Sequence, residues 1–530
     1  MARLPTVLVL IALIGPFAPV HAMGQEPPAP DAQFRAYWVD SFGPALYTEA
    51  QIDQLVADAR AANLNAIVAQ VTRRADCLCN RSIMTRTEAE IDPEPFDPLQ
   101  TLIDKAHAAG LEVHAWLNAG IMWALDVPPQ DPSHVFHAHG PSAPEAENWV
   151  MRRYDGAIRG GNLYFFDPGH PAAADYIVNM FLSIVRTYDV DGINFDFIRY
   201  PDFNPAENVP SWGYNPVALA RFQALTGRRD IPAPTDPEWM AWRREQITGI
   251  LRRVYVESYA INPLVRVSAD TITYGSIAED PLAWPQWRPY REVLQDWRAW
   301  MEEGILDLNI PMNYRREVLP PPGQPPQFEP WNSFIKDHQY NRQAAIGTAL
   351  YLNSVDENVA QIRRALTPNP SGRNAAGWVG FSYRTPDVLV NQRRRPPEVG
   401  RAELAEALTT FRTYDVMREY DFNLIRAPVF ASPVPVPPMS WKLVPRTGHV
   451  HGVVVSRDGS GADQVRVDLY DAAGTLVTSR RTTGTGWFGF VDLLPGNYTL
   501  AVTGAAETAG STSITVAAGR VTPVSLVLGR

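Results

Sequence analysis

At 530 residues the chain is too long for one ordinary domain, and it fits one large domain together with a small module. An apolar share of 45% with 20% charged residues is typical of a folded globular protein and excludes a largely disordered chain. The net charge of −10 argues against a nucleic-acid partner, because a phosphate-binding surface requires clustered Lys and Arg.

The N-terminus has the pattern of a secretory signal peptide over residues 1–22. Arg3 supplies the positive start, an apolar run covers residues 7–14, and Val20-His21-Ala22 places small residues where a signal peptidase would cut. The apolar run is too short to span a bilayer, and an uncleaved anchor is the alternative interpretation. We therefore expect an exported protein, periplasmic or secreted, without stable membrane insertion after cleavage. Its mature chain would begin with a Pro-rich leader over residues 23–33.

From Phe34 onward the chain alternates strand-like and helix-like segments, which is the pattern of a parallel α/β fold. Eight segments have strand character: 34–40, 64–72, 111–118, 192–198, 265–270, 306–313, 344–353 and 377–382. Amphipathic helical segments lie between them, at 49–62, 98–109, 172–188, 239–260 and 355–366. This alternation predicts a closed (β/α)8 barrel, of the TIM-barrel type, over residues 34–425.

Long connections follow three of the predicted strands, at residues 119–170, 202–237 and 317–330. The connections at the opposite ends of the strands are short, as at residues 62–63 and 189–190. Barrel enzymes have their active sites at the carboxyl ends of the strands. We therefore expect a deep cleft at that end.

The composition and the hydrophobic pattern of the chain change in its last fifth. Residues 426–446 are rich in Pro and predict a stiff, extended linker. Within residues 447–530, seven segments with period-two patterns are separated by turn signals: 450–456, 465–470, 477–482, 486–492, 498–503, 512–516 and 521–528. They predict a seven-stranded antiparallel β-sandwich.

The end of the fourth predicted strand carries the best candidate for chemistry. Cleavage of a glycosidic bond requires two carboxylates, one to donate a proton and one to act as nucleophile or base. Asp196 ends this strand, on the same strand face as Asn194; the alternative is that it caps a loop or pairs with Arg199. The second carboxylate would be Asp270 or Asp40, either of which could instead be a helix cap or a salt-bridge partner.

Polar and aromatic side chains near the same strands are candidates for binding a sugar. They are His114, Trp116, Asn118, Asn194, Arg199, Tyr200, Asn313, Tyr314, Tyr351 and Asn353. Some of them must fill the barrel, and His114 is better explained as a satisfied core histidine than as a proton shuttle.

Two further groups could bind or react. The only cysteines, Cys77 and Cys79, would form either a local disulfide or two free thiols after export, without a catalytic role. His134, His137 and His139 form a cluster in a predicted loop that could bind a metal. No carboxylate, however, lies at the spacing along the chain that a recognised metal site would have. We predict no metal and no cofactor.

Seven short motifs follow one another in order along residues 33–411: Arg35–Val39, Asn65–Val71, His114–Asn118, Asp191–Asp196, Ile198–Pro201, Gln295–Trp297 and Pro311–Tyr314. In this order they resemble the bacterial glycosyl hydrolase-like family 10. The resemblance implies a barrel, an extracytoplasmic location and glycan hydrolysis; relatives are linked to peptidoglycan strands stripped of their peptides. It matches Asp196 to the family's strand-four aspartate. Many relatives have a small apolar residue where Asp270 stands, which leaves the second carboxylate open.

The C-terminal module resembles a carboxypeptidase regulatory-like domain through Gly452–Val454, Gly486–Phe490 and Leu494–Tyr498. Such modules are accessory folds that stabilise, position or bind. Our hypothesis for the whole chain is an exported glycoside hydrolase that acts on an envelope or extracellular polysaccharide. The alternative is a sugar-binding or scaffolding protein built on a degenerate barrel.

Overall fold

The computed structural model describes residues 32–277, 281–318, 326–411, 427–503 and 510–528. The expected signal peptide lies outside the described residues, as does most of the expected leader. No helix within the described ranges is long and apolar enough to cross a membrane.

Eight parallel strands form the centre of the large domain: β1 Phe34–Val39, β2 Ala66–Thr72, β3 Glu112–Asn118, β4 Gly192–Asp196, β5 Arg266–Ile272, β6 Leu308–Met312, β7 Gln343–Ala349 and β8 Gly377–Phe381. They close into a barrel in the order β1-β8-β7-β6-β5-β4-β3-β2. All eight predicted strands are confirmed. Strand β7 ends earlier than predicted, because Leu350–Leu352 forms a 3-10 turn at the rim.

Nine longer helices surround the barrel: α1 Glu49–Ala61, α2 Pro98–Ala108, α3 Pro171–Thr187, α4 Pro216–Thr226, α5 Pro237–Ile261, α6 Trp297–Glu303, α7 Phe328–Asp337, α8 Val355–Leu366 and α9 Pro397–Thr409, all within the described ranges. Five of them carry Pro in the first turn, where a backbone N–H would have no partner within the helix, so that its absence costs no hydrogen bond. Side-chain oxygens of Thr48, Asp97, Asn215, Asp236, Asp296 and Ser354 cap helix N-termini.

Shorter elements occupy the connections. Two small strand pairs join Asp76–Cys77 with Thr85–Arg86 and Ile121–Trp123 with Tyr164–Phe165. Short helical segments lie at Val135–His139, Glu145–Glu147, Pro281–Gln286, Arg288–Arg291, Val388–Asn391 and Ser440–Leu443. Most of these elements follow the carboxyl ends of barrel strands, so that the long connections build up one end of the barrel as expected.

The Pro-rich segment after the barrel contains the short helix Ser440–Leu443, and it is not a free spacer. Within residues 427–446, backbone carbonyls accept hydrogen bonds from side chains at the amino ends of barrel strands. Arg35 donates to Ser432 at 2.8 Å, and Arg266 donates to Pro437 at 2.9 Å. The segment therefore covers the lower end of the barrel, which leaves the upper end open for a cleft.

Seven strands form the C-terminal module: β9 Gly448–Val455, β10 Arg466–Tyr470, β11 Leu476–Arg481, β12 Trp487–Leu493, β13 Gly496–Thr503, β14 Ser511–Val516 and β15 Val521–Val527. They form two sheets, β12-β9-β15 and β11-β10-β13-β14. The all-β prediction is confirmed, but its fully antiparallel pairing is wrong, because β15 runs parallel to β9. Strand β15 enters from β14 of the other sheet, so the crossover between sheets sets its direction.

The module is held against the barrel by buried and half-buried polar contacts. Arg221 of α4 makes a bidentate ion pair with Asp463, with both distances 2.7 Å. Arg342 lies 2.6 Å from Asp492, and the Trp242 indole donates to Gln464 at 2.6 Å. These contacts lie on the flank and lower end of the barrel.

Candidate active site

The carboxyl ends of the barrel strands surround a cavity of about 680 Å³. Strand residues form its floor, and the loops after β1 to β6 form its walls. Its floor includes Trp38, Trp116, Asp196, Asp270, Met312 and Phe381. A cavity at this end is expected, because the side chains that end parallel strands converge there.

Asp196 is the last residue of β4 and lies beside Asn118 of β3 in the strand register. The backbone N–H of Phe197 donates to its Oδ1 at 2.7 Å. Phe197 has a φ of 50°, a left-handed conformation that is rare for a bulky residue and that turns the chain sharply at the cavity floor. Burial raises the pKa of Asp196 to about 6, against the opposing effects of the Arg199 charge, the Phe197 N–H and the Trp116 indole.

Asp270 lies on β5 with its side chain buried against the same cavity. Its Oδ1 accepts two hydrogen bonds, from the Trp38 indole at 3.1 Å and from the Asn194 amide at 2.9 Å. Burial and the negative charge of Asp196 raise the pKa of Asp270 well above its ordinary value, although the Trp38 N–H lowers it. Burial thus raises the pKa of both carboxyl groups, and the charge of Asp196 raises that of Asp270 further.

A pair of carboxyl groups in one cavity, one protonated and one ionised, has the chemistry of a proton donor and a nucleophile or base. Burial favours the neutral form of both carboxyl groups, and the negative charge of Asp196 favours it further for Asp270. The Arg199 guanidinium favours the ionised form of Asp196. Asp202 holds Arg199 in the cavity wall through an ion pair of 3.3 Å. The same carboxylate accepts a 2.6 Å hydrogen bond from Tyr274, a further wall residue.

Asp40, the other sequence candidate, does not line this cavity. It is buried, and its Oδ1 accepts from Arg384 at 2.8 Å and from the Phe42 backbone N–H at 3.2 Å. The structure thus gives Asp40 the salt-bridge role that the sequence left open. Asp270 is the candidate that is brought together with Asp196.

Four of the predicted sugar-binding residues line the cavity, namely Trp116, Asn118, Arg199 and Tyr314. Asn194 lies beneath them and donates to Asp270. The ring of Tyr314 is stacked on Phe381 with centroids 5.6 Å apart, which gives the cavity a flat aromatic wall. Such a wall suits the C–H face of a sugar ring.

The other five predicted binding residues lie outside the lining of this cavity. His114 is fully buried at the lower end of β3, with its Nε2 atom 3.0 Å from Glu112. The alternation of side chains along a strand predicted the correct face for His114, but the residue lies too far down the strand to reach the cavity. Tyr200 is also buried. Asn313 donates to the Phe328 carbonyl, Asn353 donates to the Arg315 carbonyl, and Tyr351 packs edge-on against Phe381.

Sequence reasoning missed several lining residues: Trp38, Gln70, Arg73, Tyr274 and Phe381. Each lies within two residues of the carboxyl end of a barrel strand, which is the criterion that selected Asp196. Applying that criterion to all eight strands, and not only to residues with obvious acid–base chemistry, would have found them.

The three loop histidines do not converge on a metal. The Nε2 atoms of His134 and His137 lie 3.1 Å from the Arg74 carbonyl and 2.8 Å from the Pro129 carbonyl. His139 stacks on Trp149 with centroids 3.5 Å apart. No group of three or more potential metal ligands occurs among the described residues.

The structure joins Cys77 and Cys79 in a disulfide, the first of the two alternatives left open by the sequence.

The model of the family Glycosyl hydrolase-like 10 matches residues 33–356, which is more than half of the chain. The chain belongs to this family. It is 24% identical over 305 residues to the glycosyl hydrolase YngK of Bacillus subtilis (strain 168), a match that covers 54% of each chain. It is 25% identical over 227 residues to the glycosyl hydrolase DigH of Escherichia coli (strain K12), covering 41% of this chain and 46% of DigH.

The chain thus spans about half the length of the curated relatives it matches. Among solved structures, it is similar to the catalytic domain of β-amylase from Paenibacillus polymyxa, with a TM-score of 0.50 and 11% identity. That match covers 71% of this chain and 98% of the β-amylase domain. At this identity the likeness shows the barrel fold alone. The family match includes both Asp196 and Asp270.

Proposed function

We propose that this protein is an exported glycoside hydrolase that cleaves O-glycosidic bonds of an envelope or extracellular polysaccharide. Peptide-free peptidoglycan strands are the first substrate to test. The observation that carries the proposal is the pair Asp196 and Asp270, which share one cavity at the carboxyl end of a barrel and both have pKa values raised by burial. Membership of a glycosyl hydrolase-like family supports it.

In the proposed mechanism, Asp270 carries the proton that is donated to the glycosidic oxygen. Asp196, ionised above a pH of about 6, attacks the anomeric carbon or takes a proton from the attacking water. Trp38 and Asn194 orient the Asp270 carboxyl group through their hydrogen bonds. The stacked rings of Tyr314 and Phe381 would support the sugar at the cleavage point.

The test is product release from a panel of glycans that includes denuded peptidoglycan, β-glucans and chitin oligomers. Release of new reducing ends supports the hydrolase. Saturable binding without cleavage of any member would favour the alternative, a sugar-binding or scaffolding protein on a degenerate barrel. Loss of activity on addition of a chelator would contradict a mechanism that uses carboxylates alone.

Export and the module's accessory role belong to the same proposal. The signal-peptide pattern of residues 1–22 supports export, which N-terminal sequencing of the protein from periplasm or medium would test. The sandwich of residues 447–530 would serve as a carboxypeptidase regulatory-like accessory domain, since three of its sequence motifs resemble that family and no nucleophile–base pair stands out in its sequence.

The pH dependence of hydrolysis should be bell-shaped. Activity should fall below a pH of about 6, because Asp196 gains a proton there and can no longer act as nucleophile or base. It should fall again at higher pH, because Asp270, whose pKa is raised, loses there the proton that it must donate. The measurement is kcat/KM against pH, and full activity well below pH 6 would contradict the assignment. The apparent pKa values that the two limbs of the profile give are properties of the interacting pair of carboxyl groups.

Replacing Trp38 by Phe should move the alkaline limb of this profile to higher pH by roughly one pH unit. The Trp38 N–H stabilises the ionised form of Asp270, so its loss raises the pKa of that carboxyl further. Trp116→Phe is the matched control, because the Trp116 indole N–H has no hydrogen-bond partner among the described residues and its loss should leave the alkaline limb in place. If both variants shift the same limb, the assignment of roles to the two carboxyl groups is wrong.

A further inference from the structure

A second cavity of about 620 Å³ adjoins the one that contains the carboxyl pair. The two cavities share three lining residues, Tyr274, Tyr314 and Arg315. The second cavity is the more polar in its lining, and it reaches Trp287 and Gln327. A glycan longer than one sugar could therefore occupy both cavities at once, and the residues between them would contact it next to the cleavage point.

Arginine is over-represented in this cleft, although the chain as a whole has a net charge of −10. The first cavity is lined by Arg73, Arg74, Arg199 and Arg315, and the second adds Arg288 and Arg316. Three of these six are neutralised within the protein: Arg74 by Asp76, Arg199 by Asp202, and Arg288 by Glu207 and Glu292. Within the described part of the chain, the other three make no ion pair: Arg73, Arg315 and Arg316.

Arg73 lies next to an exposed aromatic face. Its guanidinium is 5.1 Å from the ring centroid of Phe42, a cavity residue whose side chain is 57% exposed. Its hydrogen bond goes to the neutral Ser41 carbonyl at 3.1 Å. The C–H face of a sugar could pack on the Phe42 ring while an acidic substituent of that sugar pairs with the guanidinium.

Arg315 lies in the wall that the two cavities share. It donates only to backbone carbonyls among the described residues, including those of Tyr314 at 3.2 Å and Gly275 at 3.4 Å, and its buried Nε has no partner there. A guanidinium that is largely buried without an anion is unfavourable, and it becomes favourable when a carboxylate completes a charge-assisted pair. The wall between the cavities therefore has a position suited to one negative charge of a ligand.

From these features we infer that the cleft selects a carboxylate-bearing glycan, with Arg73 and Arg315 as the residues that recognise its carboxylates. The inference rests on the proposed function, since it names the substrate class of the same site. A single guanidinium that makes no ion pair within the protein matches a singly charged carboxylate, with which it can form two parallel hydrogen bonds. Neutral glycans would leave both guanidinium groups without an anionic partner and should bind more weakly.

The experiment measures binding by calorimetry to the Asp196→Asn protein, so that no turnover interferes. The probes are peptide-free peptidoglycan strands and oligomers of galacturonate, alginate and hyaluronan, each beside the same glycan with its carboxylates converted to methylamides. At least one charged probe should bind at least ~10-fold more tightly than its neutral form. Arg73→Gln and Arg315→Gln should each remove most of this difference without weakening binding of the neutral form.

Arg186→Gln is the matched control, because Arg186 is exposed on α3 and does not line the cleft. Thermal unfolding checks that the variants fold, and Arg315→Lys, which keeps the charge, should retain part of the preference. Equal affinity for charged and neutral forms of every probe, or equal loss of both forms in the Gln variants, would overturn the inference. So would a failure of every charged probe to bind.

Cleavage of the same probes by the wild-type protein separates this inference from the proposed function. Cleavage without preference for charge overturns the inference and leaves the hydrolase. Charge-dependent binding without cleavage supports the inference and overturns the hydrolase. Charge-dependent cleavage that the Gln variants reduce at low substrate, through KM more than kcat, supports both.

Discussion

Replacing Asp196 by Asn should lower kcat on a cleaved glycan by at least ~10³-fold and leave glycan binding nearly unchanged. Asn has the same shape and keeps an oxygen to accept from the Phe197 N–H, but it cannot ionise to act as nucleophile or base. The measurement is the rate of release of reducing ends at saturating substrate, together with calorimetric affinity for the same glycan.

Asp191→Asn is the matched control, because Asp191 directly precedes the same strand at its lower end. Its carboxylate accepts from the Val113 backbone N–H at 2.8 Å and lies 2.9 Å from His107, far from the cavity lining. This variant should keep its kcat. Retention of substantial activity by Asp196→Asn, or equal loss in both variants, would contradict the proposed role of Asp196.

The stability of Asp196→Asn distinguishes loss of chemistry from loss of fold. Because the pKa of Asp196 is raised from 3.8 to about 6, its ionised form destabilises the folded state above that pH by up to ~3 kcal/mol. This cost is absent at pH values below the unfolded-state pKa and is complete above the folded-state pKa. The Asn variant should therefore unfold at neutral pH no more easily than the wild type. An inactive variant that is also less stable would leave misfolding as the cause.

Replacing Lys442 by Met should destabilise the barrel by ~3–5 kcal/mol. Lys442 comes from the segment that covers the lower end of the barrel, and its Nζ lies 2.5 Å from Asp307 and donates to the Val265 carbonyl at 2.6 Å. The side chains of Lys442 and Asp307 are both fully buried. Removing the ammonium leaves the carboxylate without its counter-charge in a place that water does not reach. The measurement is the urea midpoint of unfolding, followed by near-UV circular dichroism.

Lys105→Met is the control for the Lys442 variant. Lys105 pairs with Glu49 at 3.0 Å and Asp53 at 2.6 Å on the protein surface, where water replaces a lost partner, so the midpoint should change little. In the double variant Lys442→Met and Asp307→Asn, the buried charge is also removed, and part of the lost stability should return. If the Lys442 variant unfolds at the wild-type midpoint, the covering segment contributes little to the barrel.

Much of the fold could be predicted because its signals are local. A strand that is buried on both faces needs a largely apolar run, as at residues 66–69 of β2. The Pro and cap residues that begin α2 and α5 lie next to each other in the chain. The same locality explains the failures. The parallel pairing of β15 with β9 depends on a partner more than sixty residues away. A period-two pattern does not show whether a strand runs parallel or antiparallel to its neighbour.

The sequence by itself determined the barrel, the module and the place of Asp196 at the end of β4, because each depends on periodicity and on residues that are close in the chain. Only the tertiary structure decided the partner of Asp196. Asp270 and Asp40 look equivalent in the sequence, but Arg384 neutralises Asp40, whereas Trp38 and Asn194 hold Asp270 in the cavity. The raised pKa values of both carboxyl groups arise from burial and from charges that come together only when distant strands close into a barrel.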